Sequence, residues 1–223
     1  MTLTTADTAP HHATTGGHRL AQWLLASYLV VWVVLAVSPV DRHDWLLENL
    51  LALSTVMLLI VTYRRFSFSG LSYVLITLFM ILHAVGAHYT YAKVPFGFCI
   101  KDAFDLDRNH FDRIVHLAFG LLLSYPAYDL FRRAANLRKG WALFMAGIAV
   151  ISLSGLFEVI ESWVAQLVSP ELGDAYLGTQ GDIWDAQKDM TMAIIGSLVT
   201  AGLIYAMSKR VPSAARYAGS QGT

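Results

Sequence analysis

The sequence predicts an all-α membrane protein: a bundle of six transmembrane helices with both termini in the cytoplasm. Three observations predict it. Of 223 residues, 56% are hydrophobic and only 14% charged, with a mean hydropathy of +0.50, whereas about a quarter of the residues in a soluble domain carry charge. Six apolar runs reach the roughly 20 residues of helix that a bilayer core about 30 Å thick requires. Acidic and basic residues also segregate to opposite ends of those runs.

Residues 1–18, with threonine, glycine and three histidines, read as a disordered N-terminal arm. His11 and His12 there could bind metal loosely, but a flexible polar arm is the preferred account. The first apolar run, residues 20–38, exceeds the about 7 to 15 apolar residues of a secretory signal and has only Arg19 for local positive charge. It is therefore read as an uncleaved helix, although Ala36-Val37-Ser38 loosely resembles a cleavage site. The following runs are residues 45–63, 71–91, 113–131, 141–168 and 189–208. The fifth is longer than a span needs and carries Glu158 and Glu161 in its last third, which predicts tilting or an early end. Residues 19–210 form one transmembrane domain, and residues 211–223 a flexible tail.

Orientation follows from lysine and arginine in short loops. Arg64, Arg65, Arg132, Arg133, Arg138, Lys139, Lys209, Arg210 and Arg216 fall on one face together with Arg19, ten of the sixteen basic residues. That face is assigned to the cytoplasm. Fourteen of the sixteen acids lie on or near the opposite face, among them Asp41, Asp44, Asp102, Asp105, Asp107, Glu171 and Asp174 in loops. In a bacterium those loops face the periplasm. Trp45, Trp163 and Trp184 near the outer boundary, with Trp23 and Trp141 near the inner one, fit interfacial belts.

Chemistry-bearing residues gather at one depth near the outer boundary. His83 and His88 end the third run, Asp112 and His116 open the fourth, Glu158 and Glu161 end the fifth, and Asp182, Asp185 and Asp189 lead into the sixth. Residues three or four apart share a helix face, so Asp112 pairs with His116 and Glu158 with Glu161. Asp182, Asp185 and Asp189 form one stripe if that stretch is helical. His83 and His88 lie about 140° apart on an ideal helix and share a site only if the helix ends or bends near Gly86; His83 is the preferred candidate.

Ionised side chains inside a bilayer cost several kcal/mol and normally face a bundle interior or watery cavity with a partner. Two arrangements resolve the repulsion between packed carboxylates. A divalent zinc, manganese or iron ion suits a set of oxygen and imidazole ligands; otherwise the acids share protons and hydrogen bonds with Tyr89, Ser154, Ser162, Gln180 and Gln187. Simpler roles stand beside these. Asp112 and Asp182 occupy positions suited to helix N-caps, and Asp182 with Asp185 matches capping-box spacing. His116 alone fits a hydrogen-bonded packing residue, and Asp102, Asp105 and Asp107 a solvated loop without the twelve-residue calcium pattern. Cys99 alone makes no internal disulfide or cysteine-based metal site. No phosphate loop, nucleophile elbow or His-Glu-x-x-His helix is present, and the short basic loops are explained by topology, so nucleic acid is not an expected partner. Membrane lipids are.

The run from Gly178 through Gln180, Asp182 and Asp185 to Asp189, preceded by Phe157-Glu-Val-Ile-Glu161, by Asp112-Arg-Ile-Val-His116 and by His83-Ala-Val-Gly-Ala-His88-Tyr89-Thr90-Tyr91, resembles the YjdF-like family of bacterial inner-membrane proteins. The resemblance spans residues 24–205 and implies a multi-pass helical inner-membrane protein without fixing a reaction. A second similarity, to VanZ-like proteins, rests on a Glu, then Gln with paired Asp, then a glycine-bearing helix.

Three functions fit these residues. The first is a metal-dependent membrane hydrolase acting on a lipid-linked or envelope substrate, with His83, His116, Glu158, Asp185, Asp112 and Asp182 as metal ligands and Glu161 or Asp189 as catalytic base. The second is a proton- or ion-coupled transporter, weighed against by inner helix halves nearly free of charge apart from Asp129. The third is a non-catalytic component of a membrane assembly that uses its acidic face.

Overall fold

The computed structural model describes residues 15–210; most of the predicted N-terminal arm and the whole C-terminal tail lie outside them. Eight helices follow in order: α1 (Thr15–Leu35), α2 (Arg42–Thr62), α3 (Gly70–His88), α4 (Pro95–Ala103), α5 (Phe111–Arg133), α6 (Lys139–Leu167), α7 (Pro170–Leu177) and α8 (Asp185–Arg210). Six are long and apolar enough to cross a membrane, and no strand occurs among the described residues. The all-α, six-span architecture therefore holds. Helix α1 starts at Thr15, inside the stretch read as an arm. The fifth span does not end early: α6 runs unbroken for 29 residues to Leu167, past both glutamates. The last span starts at Asp185, four residues before its apolar run.

The two short helices lie in loops that the hydropathy pattern left unstructured. Each starts on a proline, Pro95 or Pro170, whose missing N–H costs nothing in a first helical turn. Ser169 caps α7 by accepting from the Leu172 N–H at 3.3 Å. Asp41 caps α2, accepting from His43 and Asp44, and Ser69 caps α3 through the Ser72 N–H.

Apolar side chains face outward along the spans, as lipid requires: Val30, Val33, Val34, Leu53, Met57, Ile148 and Leu198 are all exposed. The interior is built on α5, which packs against α8, α3 and α6. Its approach to α8 is very close, because small residues meet there. A Cβ on Gly120 would stand 2.0 Å from the Ala193 carbonyl oxygen, and one on Gly196 2.3 Å from that of Leu117. Ser124 then donates to Ser197 at 2.9 Å, and Thr200 to the Leu121 carbonyl at 2.6 Å. Small residues and interhelical hydrogen bonds are the usual means of helix association in lipid, where apolar burial offers little net gain. Helix α1 is peripheral, packing on α3 and tied to α2 through Trp32 Nε1 donating to Asn49 Oδ1.

At the end of the bundle holding the 62–70 and 133–139 loops, Asp129 accepts from the Ser69 N–H at 2.8 Å and from Ser72 Oγ at 3.0 Å, and pairs with Arg133 at 3.2 Å. The remaining buried acids are all at the other end.

Candidate metal centre

Helices α5 and α8 bring Asp112, His116 and Asp189 together. Each offers one ligand atom, and the three atoms lie within 4.8 Å of one another. His116 Nε2 is 3.7 Å from Asp112 Oδ1, one helical turn back, and 3.4 Å from Glu158 Oε1 on α6; its Nδ1 is 3.5 Å from Ser154 Oγ. Asp189 is 2% exposed and its Oδ1 has no hydrogen-bond partner, and Glu158 Oε1 is buried and unpartnered as well. Glu161, buried one turn beyond Glu158, lies within hydrogen-bonding reach of it. Three carboxylates of the predicted set, Asp112, Glu158 and Asp189, thus surround the His116 imidazole, with Glu161 adjoining.

Asp182 and Asp185 are placed differently. Asp185 takes both nitrogens of the Arg108 fork, at 2.6 and 3.3 Å, and also meets Arg113 at 3.3 Å. Asp182 accepts from Arg113 at 2.5 Å and Lys188 at 2.6 Å. These charge-assisted bonds are strong and geometrically specific, and they commit the two carboxylates to the basic side chains. Asp182 precedes α8, so the predicted helical stripe starts only at Asp185; its Oδ1 accepts from the Trp184 N–H at 3.1 Å in a turn. The Lys188 ammonium, that N–H and Arg113 hold the Asp182 carboxyl well below the usual carboxylate range. Asp112 is not an N-cap: His110 holds that position in α5 and makes no side-chain cap bond. Burial and the neighbouring Arg113, which donates to its Nδ1 at 3.1 Å, keep His110 below the usual histidine range.

The Gly178 to Asp189 motif serves as a docking platform for this network. Arg108 donates to the Thr179 and Gly178 carbonyls at 2.6 and 3.2 Å. Gln180 makes a reciprocal pair with the Asn109 backbone, accepting from its N–H at 3.1 Å and donating to its carbonyl at 2.8 Å.

His83 stands apart from the Asp112, His116 and Asp189 cluster. Its Nε2–H donates to the Glu48 carbonyl at 3.2 Å, and its Nδ1 accepts from the Tyr91 hydroxyl at 2.5 Å, so both nitrogens are engaged. Helix α3 continues to His88 without the bend considered at Gly86, and His88 donates instead to the Leu35 carbonyl on α1. Gly86 makes room for Tyr91: a Cβ there would stand 2.6 Å from the ring. Thr90 and Tyr91 both have left-handed backbone, φ 54° and 46°, at a cost of about 1–3 kcal/mol each, and this folds Tyr91 back over α3. Burial, with the Glu48, Asp112, Glu161 and Asp44 carboxylates around it, holds the Tyr91 hydroxyl well above the usual tyrosine range, so it remains a donor. Burial and the same acids from α2 and α6 raise Tyr176 likewise.

Sequence reasoning missed Glu48, Arg108 and Arg113. Glu48 is 3% exposed, with Oε2 unpartnered, and Asp44, counted as a loop acid, is 1% exposed with neither oxygen partnered. Their signal was the one recognised in Glu158 and Glu161, two acids a turn apart beside an apolar run. Arg108 and Arg113 are two of the six basic residues outside the basic face, exceptions to the charge rule. Asp102, Asp105 and Asp107 are exposed, Asp105 and Asp107 in a loop and Asp102 in the last turn of α4 rather than in the expected loop.

A cavity of about 460 Å³ opens beside the group, with Asp112, His116, His83 and Tyr91 at one end and mainly apolar side chains of α2, α3, α5 and α6, with Ser54, Thr55 and Ser154 among them, along the rest. Two of the three clustered ligand residues, Asp112 and His116, line it.

A family model described as "Predicted membrane protein (DUF2238)" matches residues 20–210. The Inner membrane protein YjdF of Escherichia coli (strain K12) is 36% identical over 181 residues, covering 79% of this chain and 86% of that protein. No solved structure matches.

Proposed function

The chain belongs to that family of predicted membrane proteins, and from this premise we propose a metal-dependent hydrolase of the bacterial inner membrane, its site on the periplasmic side and its termini inside. The observation that carries the reading is the convergence of Asp112, His116 and Asp189 within 4.8 Å, with a buried oxygen of Asp189 unpartnered. Buried acids without partners are costly, and the nearby arginines already serve Asp182 and Asp185. A divalent cation supplies the missing charge. His116 Nε2 and Asp112 Oδ1 are 3.7 Å apart, and all three ligand atoms lie within 4.8 Å of one another, so one ion could be shared among them. Two carboxylates and an imidazole suit zinc, manganese or iron.

Asp112, His116 and Asp189 would hold the ion, with Glu158 beside them, and Glu161 is the base. When bound, the ion would supply Lewis acidity and ease ionisation of a water molecule. Glu161 takes a proton from the attacking water, whose oxygen joins the electrophilic centre of a lipid-linked or envelope substrate entering from the cavity, and the leaving oxygen receives that proton back from Glu161. His83 serves as a packing residue, and Asp182 and Asp185 fix α8 against the loop before α5.

Elemental analysis of the purified full chain tests this. The expected result is about one divalent ion per chain, lost in Asp189→Asn while the helical circular dichroism persists. Wild-type protein that is folded and free of metal after purification without chelators would overturn it and favour proton sharing among the acids.

A further inference from the structure

We propose that the cavity beside the metal centre is a groove for one hydrocarbon chain of a membrane lipid, entering sideways from the bilayer between α2 and α6. This rests on the reading of Asp112, His116 and Asp189 as the reactive centre and names its substrate class: a lipid whose head meets that centre while its tail stays within the protein.

The groove is open to lipid. Leu51 and Leu58 of α2, and Leu153, Leu156 and Ile160 of α6, line the cavity and are also 38–63% exposed. Both helices lie in spans, so this exposure faces hydrocarbon rather than water. Helices α2 and α6 form no packed interface with each other, which leaves the mouth unblocked by backbone. The opposite wall is closed, with Val115 5% and Met80 5% exposed.

Its dimensions select the occupant. Along α5 the lining runs from Asp112 to Pro126, about 21 Å at 1.5 Å per residue. That exceeds the about 15 Å depth of one leaflet, so the groove carries a tail from the membrane boundary past the midplane. The cavity, of about 460 Å³, is drawn out along that length, as an extended hydrocarbon chain is. The polarity also runs one way: Asp112, His116, His83 and Tyr91 stand at one end and the far end is apolar, matching a molecule with a polar head and a long apolar tail. An acyl and a prenyl chain share this chemistry.

The test uses the full chain in lipid nanodiscs containing either a phospholipid with a diazirine at the tip of one acyl chain or a diazirine-tipped polyprenyl phosphate. After irradiation, adducts are mapped by mass spectrometry. Adducts should concentrate on Leu59 and Leu123, deep in the groove, over Val33 and Ile148 on outer lipid-facing surfaces, and the more productive probe identifies the chain type. Ser54→Trp and Leu156→Trp, which fill the mouth, should each lower groove adducts roughly tenfold, equivalent to about 1.4 kcal/mol, with metal content unchanged. Groove labelling no greater than that of Val33 and Ile148 in the wild-type protein overturns the proposal, as does labelling that survives both tryptophans. Asp189→Asn separates the two readings: groove labelling that persists without metal upholds the groove, and groove labelling absent from a metal-replete wild type removes it while leaving the metal centre standing.

Discussion

Replacing Gly120 with alanine asks whether the contact between α5 and α8 sets the geometry of the proposed metal centre. The new Cβ would stand 2.0 Å from the Ala193 carbonyl oxygen, 2.8 Å from its carbon and 2.9 Å from the Ser197 nitrogen. All three are backbone atoms, so none can swing aside. Restoring even a 3.0 Å contact to the oxygen requires the helices to part by about 1 Å, and close-packed interiors accommodate such changes at a cost of about 1–3 kcal/mol. The separation also strains the Ser124–Ser197 and Thr200–Leu121 hydrogen bonds, each worth about 0.6 kcal/mol within a membrane. The expected loss is about 2–4 kcal/mol, measured by reversible unfolding in mixed micelles with increasing dodecyl sulfate. Gly140→Ala is the matched control, because nothing lies within 4 Å of a Cβ there; that change should be neutral or stabilising by up to about 1 kcal/mol. Asp112 and His116 ride on one helix and Asp189 on the other, so Gly120→Ala should also weaken metal retention. Equal stability of the two alanine variants would refute the claim that this contact is tight.

Arg108→Leu leaves the Asp185 carboxylate buried with Arg113 as its remaining partner, and should destabilise by about 3–5 kcal/mol. Lys188→Leu removes a half-exposed cation and should cost under about 1 kcal/mol; equal effects in the same unfolding assay contradict the buried pair. The Asp182 carboxyl has a folded pKa below its unfolded value, so the stability it confers is complete above the unfolded carboxylate pKa, about 3.9. That contribution is lost as pH falls through the folded value. The stability gap between wild type and Asp182→Asn should therefore be flat from pH 5 to 8 and narrow below about pH 4; a gap that widens on acidification opposes it.

The six spans were legible because hydropathy over the length of a bilayer is a strong signal, and their ends less so because charge interrupts it. Asp185 and Lys188 kept the last apolar run from starting before Asp189, yet the helix begins at Asp185, whose charge Arg108 satisfies. Helices α4 and α7, at nine and eight residues, are too short for a span-length window, and only Pro95 and the Ser169-Pro170 cap marked them. The acids and His116 were found because an ionisable residue near the bilayer is costly wherever its partner is. Which acids meet which partners depends on helix rotation and on the loop before α5, and neither is written in spacing. His83 shows the limit: its position in a span was visible, but the turn that brings Tyr91 back against it requires two left-handed residues that no glycine announced. Gly120, Ser124, Ala193, Gly196 and Ser197 did carry a readable signal, small residues at helical spacing on the two helices that pack most closely.

That pairing of α5 with α8 also bears on how the chain is made. Helix α5 shares with α1 the lowest hydropathy of the six spans, 1.4, and carries Asp112, Arg113 and His116 at its leading end. Its principal mate is α8, the last of the described helices. From Arg133 to Asp185 is 52 residues, and at about 5–20 residues per second the ribosome takes roughly 3–10 s to reach the start of α8. During that interval α3 and the emerging α6 are the neighbours present to shelter α5. The polar end that α5 and α8 share is therefore completed only once α8 has emerged, and until then the charged leading end of α5 lacks its principal partner.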